Sequence, residues 1–208
     1  LTAPGNVAAT DGSSTANVTV TWDAATGATS YKVFRSANET ETHTGETDLG
    51  TQSTPFADAA ATPGQKYWYW VKAVDDSPAS ESDYSISNDG YRKLAVVTNV
   101  AATENLSDKV TVTWSDITGE TGYTIWRHTA DVSGSASIVG TAAVNAVSYD
   151  DTTASPDQDY YYWVRGTNST SASLGDFSSS DYGYRILAEP SAPASNIVFS
   201  ALAPDSYT

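Results

Sequence analysis

The sequence predicts an all-β chain built from two consecutive two-sheet sandwiches. Three observations carry that reading. Apolar residues alternate with period two in every strong segment, no helical period occurs, and the whole pattern returns after about 93 residues.

The repeat comes first. Val18-Thr19-Val20-Thr21-Trp22 recurs as Val110-Thr111-Val112-Thr113-Trp114, an offset of 92. Tyr31-Lys32-Val33-Phe34-Arg35 recurs as Tyr123-Thr124-Ile125-Trp126-Arg127, and Tyr67-Trp68-Tyr69-Trp70-Val71-Lys72 as Tyr160-Tyr161-Tyr162-Trp163-Val164-Arg165. Asp89-Gly90-Tyr91-Arg92 recurs as Tyr182-Gly183-Tyr184-Arg185. Two copies therefore occupy residues 1–94 and 95–187.

Each segment is β-branched or aromatic and is bounded by Gly, Pro, Asn, Asp or Ser, the composition of strands. Val18, Val20 and Trp22 share one face of their strand, while Thr19 and Thr21 share the other. Tyr31 and Val33, then Tyr67, Tyr69, Val71 and Ala73, make two further apolar faces. Short antiparallel strands in a unit of this size form a sandwich of two sheets.

Trp22, then Tyr31-x-Val33, then Thr62-Pro63-Gly64-Gln65-Lys66-Tyr67 leading into a Tyr-x-Val-x-Ala strand, resemble the fibronectin type III module of bacterial secreted or cell-surface proteins. The second copy matches through Trp114, Tyr123, Ile125 and Ser155-Pro156-Asp157-Gln158-Asp159-Tyr160, with Gly166 in place of the alanine. The resemblance implies tandem immunoglobulin-like, seven-stranded β-sandwiches. It makes Trp22 and Trp114 core anchors, each burying on the order of 200 Å², with Tyr31 and Tyr123 also core residues. It also makes Tyr67 and Tyr160 tyrosine corners, whose hydroxyls bond to backbone upstream. For function the resemblance says little, because this sandwich hosts many roles.

Composition narrows the classes. Ten Lys and Arg against 25 Asp and Glu give a formal charge of −15, spread along the chain. A nucleic acid is therefore not an expected partner. With no cysteine there is neither a disulfide framework nor a thiolate metal site. No run of about 18 apolar residues occurs, so no membrane span is expected. Leu1-Thr2-Ala3-Pro4 reads as a domain boundary, and the Ser-, Thr- and Asp-rich composition points to an extracellular or cell-surface location.

After Leu187, Ala188-Glu189-Pro190-Ser191-Ala192-Pro193 reads as a stiff linker. Asn196-Ile197-Val198-Phe199-Ser200 then echoes Asn99-Val100-Ala101-Ala102-Thr103. Residues 188–208 are expected to hold this linker and the first strands of an incomplete third module. Packing of this segment on the second copy is preferred, with strand addition to a neighbouring copy through residues 196–208 as the alternative.

No catalytic constellation is visible. His43 and His128 are the only histidines and are expected to be solvated loop residues. No elbow motif presents a serine nucleophile. Asp75-Asp76, Asp150-Asp151 and Asp157-Gln158-Asp159 are expected to be solvated turn acids. No cofactor is expected, and a structural calcium between modules rests only on the acidic balance. Four sequons occur, and Asn38 and Asn168 are the preferred glycosylation sites, read as loop residues.

One candidate surface remains. If Tyr67, Tyr69 and Val71 face inward, Trp68 and Trp70 face outward with Phe34 on the neighbouring strand. Trp126, Tyr161 and Trp163 repeat the pattern. Such aromatics can stack on sugar rings or bind a partner, and they can equally pair across strands or lie under a loop. The leading expectation is a non-catalytic extracellular spacer that presents other domains of the same parent chain. The alternatives are an adhesin or carbohydrate-binding module using these aromatics, with a polysaccharide or surface protein as partner, and a strand-exchanging filament subunit.

Overall fold

A computed structural model describes residues 1–39, 43–77, 79–171 and 173–189. The first copy contributes β1 (Ala8–Ala9), β2 (Val18–Thr21), β3 (Ser30–Ser36), β4 (Thr47–Gln52), β5 (Phe56–Asp58), β6 (Lys66–Asp76), β7 (Ala79–Glu81) and β8 (Asn88–Tyr91). The second contributes β9 (Ala101–Ala102), β10 (Val110–Thr113), β11 (Gly122–His128), β12 (Ser137–Ala143), β13 (Ser148–Asp151), β14 (Asp159–Asn168), β15 (Ser173–Leu174) and β16 (Asp181–Tyr184).

In the first copy the sheet β1-β2-β5 stands against β4-β3-β6-β7, with β8 also on β6. In the second, β9-β10-β13 stands against β12-β11-β14-β15, with β16 also on β14. The ladders are antiparallel, and among the described residues none joins the two copies. The expected third module lies, from residue 190 onward, outside the described residues.

Each copy has one strand more than the seven expected, because the last strand is split in two. Between β7 and β8, serine hydroxyls take over the ladder. Ser82 Oγ accepts the Ala73 amide and Ser85 Oγ accepts the Val71 amide, each at 2.9 Å. Ser178 Oγ does the same for Val164 at 2.9 Å. A short hydroxyl satisfies the buried amide without continuing the pleat. The freed segment carries Tyr84 or Phe177 over the outer face of the sheet.

The inward faces are those that the alternation predicts. Val18, Val20, Trp22, Val33, Ala61, Tyr69 and Val71 form one core, and Val110, Val112, Trp114, Tyr123, Ile125, Tyr162 and Val164 belong to the other. Trp22 packs on Tyr31 with ring centroids 5.6 Å apart, and Trp114 on Tyr123 at 5.3 Å. Tyr67 and Tyr160 both bond five residues upstream. Tyr160 Oη accepts the Ser155 amide at 3.4 Å, whereas Tyr67 donates to the Thr62 hydroxyl at 3.2 Å, a side chain rather than the expected backbone group.

Each core also closes over an ion pair. Arg35 meets Asp58 at 2.6 Å and Arg127 meets Asp151 at 2.5 Å. Tyr69 and Tyr162 each donate to the same carboxylate at 3.0 Å. Asp151 is therefore not the solvated turn acid expected from its neighbour; Asp150, on the opposite face, is exposed and pairs with Lys109.

Candidate binding surface

The outer face of β3 and β6 brings Phe34 and Trp70 into register, and the outer face of β11 and β14 does the same for Trp126 and Trp163. The predicted exposure is not found at the two tryptophans of β6 and β14. Trp70 and Trp163 are each only 3% exposed. Both point away from the sandwich core, as alternation requires, but other side chains close over this side of the sheet.

Over the first sheet, Tyr84 packs edge-on against Phe34 at 5.0 Å. His43 stacks on Tyr84 at 3.8 Å and meets Trp70 edge-on at 5.4 Å. Its Nδ1 lies 2.8 Å from Glu46 Oε1. His43 is thus half-buried in an aromatic stack rather than a solvated loop residue, on a backbone at φ 47°. Lys72 sits over the Tyr84 ring at 5.0 Å. Lys72 and Lys32 then both donate to Glu81, at 2.8 and 2.5 Å. Hydrogen bonds from Lys32 and then Lys72 hold the Glu81 carboxyl down at about 2.

The second sheet rebuilds this stack with other residues. Phe177 takes the place of Tyr84 and packs edge-on against Trp126 at 5.2 Å. Arg165 takes the place of Lys72, lying 4.5 Å from the Phe177 centroid and 5.8 Å from that of Trp126. Trp126 Nε1 donates to Thr124 Oγ1 at 2.9 Å. Alternation within the strands did not disclose Tyr84, Phe177 or His43. The available signal was the aromatic standing at the same place after Trp70 and Trp163 in both copies.

No protein-family model and no curated protein matches this sequence. Among solved structures, a two-domain segment of chicken tenascin superposes with a TM-score of 0.63, covering 86% of this chain and 98% of that one at 13% identity. The fold is a tandem of fibronectin type III modules. The FN1–FN3 segment of chicken CNTN1 is 20% identical over 86% of this chain at a TM-score of 0.41, and this chain spans 63% of that segment's length. An Fn3-like protein from Clostridium thermocellum covers 47% of this chain at 20% identity and a TM-score of 0.39.

Of the six predicted aromatics, Phe34, Trp68, Trp126 and Tyr161 keep partial exposure. Trp68, in the first fibronectin type III module, lies 5.7 Å from Lys66 Nζ, which pairs with Asp89 at 2.7 Å. Tyr161, in the second, begins a row of half-buried rings. It packs on Tyr182 at 5.8 Å, and Tyr182 on Tyr184 at 5.7 Å. Tyr182 donates to Asp159 at 2.6 Å, and this bond pushes its hydroxyl up to about 12.

The two sequon asparagines differ. Asn38 is exposed beyond β3. Asn168 ends β14, 5% exposed, with Nδ2 donating to the Gly119 carbonyl at 2.5 Å and Oδ1 accepting from Thr170. It is a buried strand-end residue and not the loop residue expected. Among the described residues, the paired acids do not converge into a group able to hold a cation. No helix among them is long and apolar enough to cross a membrane.

Proposed function

We propose that the chain is a non-catalytic extracellular spacer, two modules at 1–94 and 95–187 that present other domains of a longer parent protein. The observation that carries this reading is the self-sufficiency of the outer faces. Phe34, Trp70 and Trp126 pack on the chain's own Tyr84, His43 and Phe177, and Lys32 and Lys72 are taken up by Glu81. A surface that binds sugars by stacking leaves its flattest rings open to solvent, and Trp70 and Trp163 are closed.

A second reading, glycan or partner binding, contracts to Trp68 and to the Tyr161-Tyr182-Tyr184 row, which keep accessible ring surface. Retention of the chain on a glycan array and on insoluble polysaccharides separates the two. The spacer predicts no saturable retention. Saturable retention abolished by Trp68→Ala or Tyr161→Ala, with the fold intact, overturns it in favour of the binding module.

A further inference from the structure

We infer that the two modules are locked at one fixed angle by a joint closed around Leu94, so that they move as a single rigid rod. The default for modules in series is relative motion. Here the contacts between them are close, apolar at the centre and polar at the rim.

Leu94 is fully buried, yet belongs to neither module's core cluster. It sits between two glycines, one from each module. A Cβ placed on Gly64 would stand 2.8 Å from Leu94 Cδ2, and one on Gly166 would stand 3.6 Å from Leu94 Cδ1. The turns on either side are in direct backbone contact. A Cβ on Gly64 would lie 2.8 Å from the Gly119 carbonyl oxygen, and one on Gly119 only 2.0 Å from the Pro63 carbonyl oxygen. No side chain fits at either position without parting the modules.

Polar groups close the rim. Asn168 Nδ2 donates to the Gly119 carbonyl, which fixes the turn that meets Pro63. Lys93 Nζ reaches across to Asp176 at 2.6 Å. The Lys93 amide donates to the Ser14 carbonyl at 2.8 Å, so the chain entering the joint is already tied to the first module.

The leucine itself recurs. Leu1, Leu94 and Leu187 are spaced 93 residues apart, and Leu94, between the two modules, is fully buried. The corresponding turn of the second module differs in the decisive position. Asp157 stands where the first module has Gly64, both with positive φ, at 58° and 72°. By the geometry at Gly64, a side chain there forbids the same close approach. The fixed angle is thus a property of this joint and not of the repeat in general.

The chain has no cysteine, so a spin-label pair is introduced cleanly at the exposed positions Thr47→Cys and Ser137→Cys. Pulsed electron-electron resonance on the full chain is expected to give one narrow distance distribution. Leu94→Ser and Gly64→Ala are each expected to broaden it by at least about twofold. Tryptophan fluorescence and near-ultraviolet dichroism monitor folding of the two modules. Because Gly64→Ala strains a left-handed backbone, Leu94→Ser serves as the variant free of that effect. A parent distribution as broad as that of the variants overturns the inference, as does an unchanged width in folded Leu94→Ser. Neither result bears on glycan retention, so this inference and the spacer reading fail separately.

Discussion

Arg127 holds the fully buried carboxylate of Asp151 at 2.5 Å, across the gap between the two sheets of the second module. Arg35 and Asp58 make the same bridge in the first module at 2.6 Å. Around Asp151 the remaining lone pairs are used as well. Thr153 donates from its amide at 2.8 Å and its hydroxyl at 2.7 Å, and Tyr162 from its hydroxyl at 3.0 Å. A buried charge is tolerated when it is this fully bonded, and removing one partner leaves the others desolvated.

Asp151 therefore makes the second module acid-sensitive. Burial pushes its carboxyl up, but the Thr153 hydroxyl and amide, with the Arg127 guanidinium, more than offset this and hold it below the ordinary aspartate value of 3.8. A depressed folded value means the contribution is complete above about pH 4 and is lost as pH falls through the lowered value. Asp151→Asn is expected to cost about 3 kcal/mol at pH 7. Urea unfolding from pH 7 down to pH 2 should show the gap between parent and variant narrowing only below pH 4. A gap constant with pH would refute the assignment.

Trp114 and Trp22 bury an indole N–H that has no hydrogen-bond partner among the described residues. The ring is worth keeping and the N–H is a liability of about 1–3 kcal/mol. Trp114→Ala is expected to cost about 3–5 kcal/mol. Trp114→Phe should cost clearly less, since it retains most of the ring and removes the orphan donor. Equal losses in chemical denaturation would mean that the N–H is satisfied in solution.

Trp70 and Trp163 are expected to behave as packing residues. Replacing either by Ala should cost about 3–5 kcal/mol. In a module of this size each kcal/mol lowers the melting temperature by about 4–8 °C. Calorimetry on the two single variants checks this, and a melting temperature within error of the parent would return both rings to the list of binding platforms.

In a secretory host that glycosylates sequons, Asn38 is expected to carry glycan and Asn168 is not. The Asn168 amide is bonded to Gly119 within the second module and only 5% exposed, so in the folded chain it is closed to a transferase. Intact mass before and after enzymatic deglycosylation, with Asn38→Gln as the control, reads the outcome. Glycan at Asn168 in a folded chain would refute this burial.

The two-copy organisation, the strands and the inward faces were legible in the sequence because each rests on local alternation. Val18, Val20 and Trp22 alternate with threonines, and the 92-residue echo at Val110, Val112 and Trp114 shows that the pattern is structural. Alternation also assigned Trp70 and Trp163 to the outer face. It carries no information on what covers a face: His43, on a left-handed turn, packs on Trp70, while Tyr84 and Phe177, on the segments that split the last strands, pack on Phe34 and Trp126. Asp151 and Asn168 are polar residues whose partners, Arg127 and Gly119, lie 24 and 49 positions away in sequence. Tertiary folding alone decided that these groups are buried, because desolvation and pairing depend on the three-dimensional neighbours of a side chain and not on its place in a strand.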